Sequence, residues 1–185
     1  MLTTTQRDAL LALARDTARR AAAGDRGAGP GPAPEGLRAP GAAFVTVRVA
    51  GALRGCIGTF EAREPLWDTV HEMATAAATR DPRFAPLAAH ELPGLTVDVS
   101  VLAPARRIRR SAEIELGRHG LEIRRGARRG LLLPQVAADH GLDRETFLAE
   151  TCRKAGLPAG AWRDADTEIW AFEAEVFGDS CASGS

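Results

Sequence analysis

Alternation of apolar and polar residues constrains this chain more than any other feature. Ala43-Phe44-Val45-Thr46-Val47-Arg48-Val49 and Leu95-Thr96-Val97-Asp98-Val99-Ser100-Val101 change character at every second residue, and Thr167 to Phe177 puts Trp170, Phe172, Ala174 and Val176 on one face. Strand side chains point alternately to opposite faces, so this period predicts strands. Over Leu95–Val101 it predicts one wet or site-facing side. Ala50-Gly51 marks a tight turn, after which Leu53 to Phe60 returns as the second arm of a hairpin. A second hairpin is expected from Gly120–Ile123 and Gly130–Leu133, turning at Gly126-Ala127 and stopped by Pro134.

Helical spacing fills the intervals. Leu10, Leu11, Leu13, Ala14 and Ala18 form an apolar stripe within Thr5–Ala22, with threonines in front to cap it. Pro65 can open a helix carrying Leu66, Val70, Met73 and Ala77, which ends near Arg80 because a residue before proline avoids the α region. Asp143 can cap a third helix that Gly156 and Pro158 close. Strands joined by hairpins, with helices between some of them, predict an α+β fold with a mainly antiparallel sheet and flanking helices. Gly24–Gly41 is a Gly/Pro-rich loop expected to be loose at the surface, and the tail 178–185 is expected to fray.

Composition sets outer bounds. At 185 residues and 45% hydrophobic, the chain can bury a core without metals or disulfides. Lysine plus arginine equals aspartate plus glutamate, at 24 each, so no global charge draws it to nucleic acid or anionic lipid. Three scattered cysteines, Cys56, Cys152 and Cys181, form neither a disulfide framework nor a zinc knuckle. No apolar run approaches the roughly 20 residues of a membrane helix, and Met1–Gln6 lacks the features of a secretory signal. The expectation is a cytoplasmic protein with free thiols and no membrane span. The four histidines lack ligand-pair spacing, and no phosphate-loop, dinucleotide or nucleophile-elbow motif is present. No metal site is expected, and the residues name no cofactor.

The densest chemical feature is Leu53-Arg54-Gly55-Cys56-Ile57-Gly58-Thr59. On a strand, Arg54 and Cys56 share a face, and the glycines permit close approach. A guanidinium beside a thiol favours the reactive thiolate. The plainer alternative is a small buried cysteine in a curved sheet. Asp81-Pro82-Arg83-Phe84 offers an acid and a base on a stiff loop. Arg83 could grip a carboxylate or phosphate, or simply pair with Asp81 while Phe84 enters the core. Thr151-Cys152-Arg153-Lys154 places basic residues at a helix end, where the dipole suits them. Arginines crowd 106–129, but Glu113, Glu115 and Glu122 interrupt them, so nucleic-acid binding is disfavoured.

These segments resemble the AMMECR domain family, whose prokaryotic members are known as AmmeMemoRadiSam system protein A. The LRGCIG motif at Leu53–Gly58 carries most of the likeness. Ala43–Thr46, Asp81–Phe84, Val99–Leu102, Gly130–Gln135 and Thr151–Leu157 follow in the family's order, so the resemblance covers about Gln6 to Phe177. It implies a single AMMECR domain over 1–185, with a larger and a smaller lobe and a cleft between them. It implies company with a Memo-like protein and a radical SAM protein. It fixes no reaction: the function expected is an enzyme or ligand-binding component of such a system, with a small anionic ligand, or else a non-catalytic protein- or nucleic-acid-binding regulatory module. Carried over by position, Cys56 is the candidate nucleophile or redox thiol, and Arg54, Arg83, Asp81, Gln135, Thr151 and Lys154 are candidate ligand contacts. Arg153 departs from the family pattern, which leads to the expectation that Cys152 is less buried here.

Overall fold

The computed structural model describes residues 1–25 and 29–179. Cys181 and the end of the tail lie outside them, as do residues 26–28 of the Gly24–Gly41 segment. The chain divides into two compact units, Met1–Leu102 with Glu175–Ser185, and Ala103–Ala174.

The larger unit sets two helices on one face of an antiparallel sheet. Helix α1 spans Thr4–Ala22, and Thr3 caps it in a reciprocal capping box with Gln6. Strands β1 (Ala42–Val49) and β2 (Ala52–Thr59) form the expected hairpin. Its turn places Ala50 and Gly51 at φ 48° and 82°, the left-handed pair that a two-residue hairpin turn needs. Helix α2 (Leu66–Thr79) follows Pro65. Strand β3 (Leu95–Leu102) pairs with β1, so β1 lies between β2 and β3 and β2 is an edge strand.

The alternation of β1 and β3 sorts the faces. Val45, Val47, Val97 and Val99 turn to a core completed by Leu10, Ala14 and Ala18 of α1 and Val70, Ala74 and Ala77 of α2. Each large aliphatic side chain fully buried there contributes roughly 1.5–3 kcal/mol. Phe44, Thr46, Asp98 and Ser100 occupy the opposite face, where Asp98 and Ser100 are buried rather than wet.

The loop before β1 differs from expectation. Leu37 is completely buried in the core, the Trp67 indole donates to Pro30 O at 3.1 Å, and backbone bonds tie Ala39 and Gly41 to Leu66 and Glu64. One buried leucine and these ties hold a segment whose composition alone reads as loose.

The smaller unit contains β4 (Arg106–Ile108), β5 (His119–Arg125), β6 (Arg128–Leu132), α3 (Pro134–Asp139) and α4 (Arg144–Lys154). Strand β7 (Glu168–Gly178) crosses the unit boundary at Ala174. In the smaller unit it pairs with both β4 and β5, and β5 pairs with β6 around the Gly126-Ala127 turn. Pro134 does more than stop this hairpin; it opens the short α3, where its missing N–H costs nothing. Asp143 caps α4 by accepting from Thr146 N at 2.7 Å, and Gly156 at φ 70° closes it. The core gathers Leu121, Ile123, Phe147, Leu148, Ile169 and Ala171. Cys152 is fully buried among them, contrary to expectation. Residues adjacent on a helix point about 100° apart, so Arg153 is exposed without exposing its neighbour.

Candidate functional site

The candidate site lies on β2, within the larger unit. Cys56 faces Thr46 across the strand pair. Its backbone N–H and C=O point away from β1, to the free edge of the sheet, where the loop after α2 meets them. The N–H donates to Asp81 Oδ2 at 2.8 Å, and Arg83 Nη2 donates to the Cys56 carbonyl at 3.4 Å. The Asp81-Pro82-Arg83 loop thus does the work of a missing neighbour strand for one residue. A cross-strand pair that exchanges no backbone bonds brings its side chains closest. Accordingly the Thr46 hydroxyl donates to Cys56 Sγ at 3.3 Å. On the other side of Thr46, its β3 partner is the buried carboxylate Asp98. Cys56, Thr46 and Asp98 therefore form a transverse row on the polar face, with the thiol half-exposed.

Two glycines make this geometry possible. A Cβ on Gly55 would lie 1.9 Å from the Ala77 carbonyl oxygen, so only glycine lets α2 lie this close to β2. A Cβ on Gly58 would lie 2.2 Å from the Phe44 ring, which rests over that position on the Cys56 face. Close packing of α2 delivers its C-terminal loop, and with it Asp81, to the edge at Cys56.

Both arginines are committed. Arg83 grips Asp81 with two bonds, at 2.9 and 2.7 Å, and the Asp81 oxygens also accept the Arg83 and Cys56 backbone N–H groups. The guanidinium first, then these amides, hold the Asp81 carboxyl far below the usual carboxylate range against the cost of burial. Arg54 is the extra residue of a bulge in β2, where pairing shifts between Val47 and Arg48. Its guanidinium grips Glu91 at 2.6 and 3.0 Å, and with the Ala88 N–H it draws the Glu91 carboxyl down to about 2. The Phe84 ring carries both cations, Arg54 at 5.9 Å and Arg83 at 5.3 Å from its centroid. Phe84 is half-buried under the two guanidiniums, where a core position was one expectation. The candidate site is a thiol beside two neutralised ion pairs, with no free arginine fork facing it among the described residues.

The structure thus brings together four of the residues singled out in the sequence, Arg54, Cys56, Asp81 and Arg83. Gln135, Thr151 and Lys154 belong to the smaller unit. Thr151 is wholly buried, and its hydroxyl donates to Phe147 O at 2.7 Å. Gln135 is half-buried on α3, and Lys154 is exposed at the end of α4. Thr46, Phe44, Glu91 and Asp98 were missed as site residues. Thr46 and Asp98 were visible as polar members of alternating strands, but which strands are neighbours is not written in the alternation.

These features define a two-unit α+β protein with a half-exposed cysteine on the edge strand of an antiparallel sheet. The chain belongs to the AMMECR1 family, whose family model matches residues 11–177. It is similar to a protein of Methanothermobacter thermautotrophicus, 44% identical over 150 residues that cover 78% of each chain. It is also similar to protein TK0174 of Thermococcus kodakarensis, 46% identical over 138 residues covering 72% of this chain and 67% of that one. The crystal structure of the uncharacterized protein PH0010 from Pyrococcus horikoshii superposes with a TM-score of 0.84 at 40% identity, covering 92% of this chain and 89% of that one. No helix among the described residues is long and apolar enough to cross a membrane.

Proposed function

We propose that the protein is a thiol-dependent enzyme or ligand-binding component, with Cys56 as the group that meets the ligand. One observation carries this reading: a half-exposed thiol whose main chain is clamped by Asp81 and Arg83 and whose sulfur receives the Thr46 hydroxyl. A cysteine that only fills space needs no such framing. Arg54 and Arg83 act here as builders of the site, since each guanidinium is matched by a carboxylate. The small anionic ligand expected from free arginines becomes, on this reading, a ligand held chiefly at the sulfur, with the exposed Arg83 edge in reserve. Partnership with a Memo-like protein and a radical SAM protein rests on the family resemblance and belongs to the same proposal.

The second reading, a non-catalytic docking module, is favoured by one feature: no histidine or carboxylate hydrogen-bonds to the Cys56 sulfur among the described residues, although a nucleophile usually has a base. A nucleic-acid role is disfavoured, because the arginines of 106–129 are largely spent on Glu113, Glu115, Glu122, Asp164, Asp166, Glu168 and Glu173.

Covalent capture tests the proposal. The protein is exposed to the small-molecule fraction of its host cells, and adducts are mapped by peptide mass spectrometry. An adduct on Cys56, blocked by Cys56→Ser, supports the thiol site. No adduct, together with undiminished binding of the Memo-like or radical SAM protein by Cys56→Ser, establishes the docking module instead.

A further inference from the structure

The smaller unit contains a concavity that the Cys56 reading does not use. It measures about 560 Å³ and is lined by Leu132, Val136, Leu142 and the side chains of His140, Glu150, Arg153 and Lys154. That volume falls within the range of small-molecule pockets. Leu132, Val136 and Leu142 are only partly buried and pack over the core, so they give the pocket an apolar floor. The wall is fixed: a Cβ on Gly130 would lie 2.2 Å from the Ala155 backbone nitrogen, so β6 is locked against the end of α4. Leu132 and Lys154 therefore keep a set separation.

The rim decides the ligand. Arg153 pairs with Glu150, which cancels one charge of each sign. Lys154 has no ion pair among the described residues and stands exposed at the edge. His140 is likewise exposed. One unmatched ammonium over an apolar floor fits an apolar body ending in a single negative charge. A phosphate would call for a free arginine fork or a nest of amides, and one Nη of Arg153 is already engaged by Glu150.

We infer that the pocket of Leu132, Val136, Leu142 and Lys154 is a second ligand site, which takes a small amphipathic carboxylate. The site is independent of Cys56. The test uses the full chain with leucine and valine methyls labelled for NMR, octanoate as probe and 1-octanol as the neutral control. Octanoate is expected to shift the methyls of Leu132, Val136 and Leu142. Lys154→Gln and Lys154→Glu are each expected to weaken octanoate about tenfold, the loss of roughly 1.4 kcal/mol, and to leave 1-octanol unchanged. Cys56→Ser is expected to bind octanoate like the wild type, which separates this site from the first. Shifts absent from these three methyls, equal affinity for octanoate and 1-octanol, or an unaltered affinity in both Lys154 variants would each overturn the inference.

Discussion

Asp81 accepts the backbone N–H of Cys56 at 2.8 Å, across 25 residues of chain, and so ties the end of a helix to the open edge of a sheet. The Asp81 side chain is 2% exposed, and it is the anion around which the Cys56 edge is organised. Helix α2 can deliver it there because Gly55 leaves no side chain in the way.

Removing this carboxylate orphans several donors at once. Asp81→Ala is expected to cost about 2–4 kcal/mol of stability, because the Cys56 N–H is left without a partner and Arg83 loses its counter-charge. The midpoint of urea unfolding reads the loss. An unchanged midpoint would mean that the loop does not clamp the edge.

The two carboxylates also predict acid sensitivity. A carboxyl held below its unfolded value stabilises the fold above the unfolded pKa and ceases to do so as pH falls through the folded one. Glu91 falls from an ordinary 4.5 to about 2, so its contribution is complete above about pH 4.5 and is lost on acidification towards 2. Asp81 has the same sign and extends the loss to lower pH. Urea midpoints measured from pH 7 down to 2 are expected to drop in this window, and to drop less in Glu91→Gln.

Glycine requirements can be separated by position. Gly55→Ala drives a methyl to within 1.9 Å of the Ala77 carbonyl oxygen and is expected to cost more than about 2 kcal/mol. Gly160→Ala, with open space around it and φ −86°, is expected to stay within about 0.5 kcal/mol of the wild type. Thermal unfolding of the two variants side by side measures the contrast.

The Thr46 hydroxyl should matter to the chemistry of the sulfur rather than to the fold. The hydroxyl at 3.3 Å fixes the direction in which the sulfur is presented. Thr46→Val is therefore expected to slow alkylation of Cys56 about two- to tenfold, the equivalent of one ordinary hydrogen bond. Circular dichroism should remain unaltered.

Much of the fold was legible because it rests on local periodicity. The alternation in Ala43–Val49 and Leu95–Val101 and the helical spacing of Leu66, Val70 and Ala77 set each element's type, and Asp143 and Gly156 set the ends of α4. The likeness to the family drew together Arg54, Cys56, Asp81 and Arg83 as candidates. What stayed hidden was pairing at long range. Nothing in Thr46 says that it stands between Cys56 and Asp98, since that depends on which strands become neighbours. Nothing in Glu91 says that it will neutralise Arg54. The burial of Leu37 in a Gly/Pro-rich stretch and of Cys152 beside Arg153 likewise depends on packing partners far along the chain.

The central claim is that the Cys56 thiol is presented, while the Cys152 thiol is stored. The most direct measurement is the rate of iodoacetamide labelling in the native protein, resolved by peptide. Cys152 is fully buried and burial pushes its thiol up, so it should react only when the smaller unit opens. Cys56 is predicted to label at least about a hundredfold faster than Cys152, the ratio expected when one site needs no unfolding and the other does. Equal rates, or labelling of Cys56 only under denaturing conditions, would contradict the account.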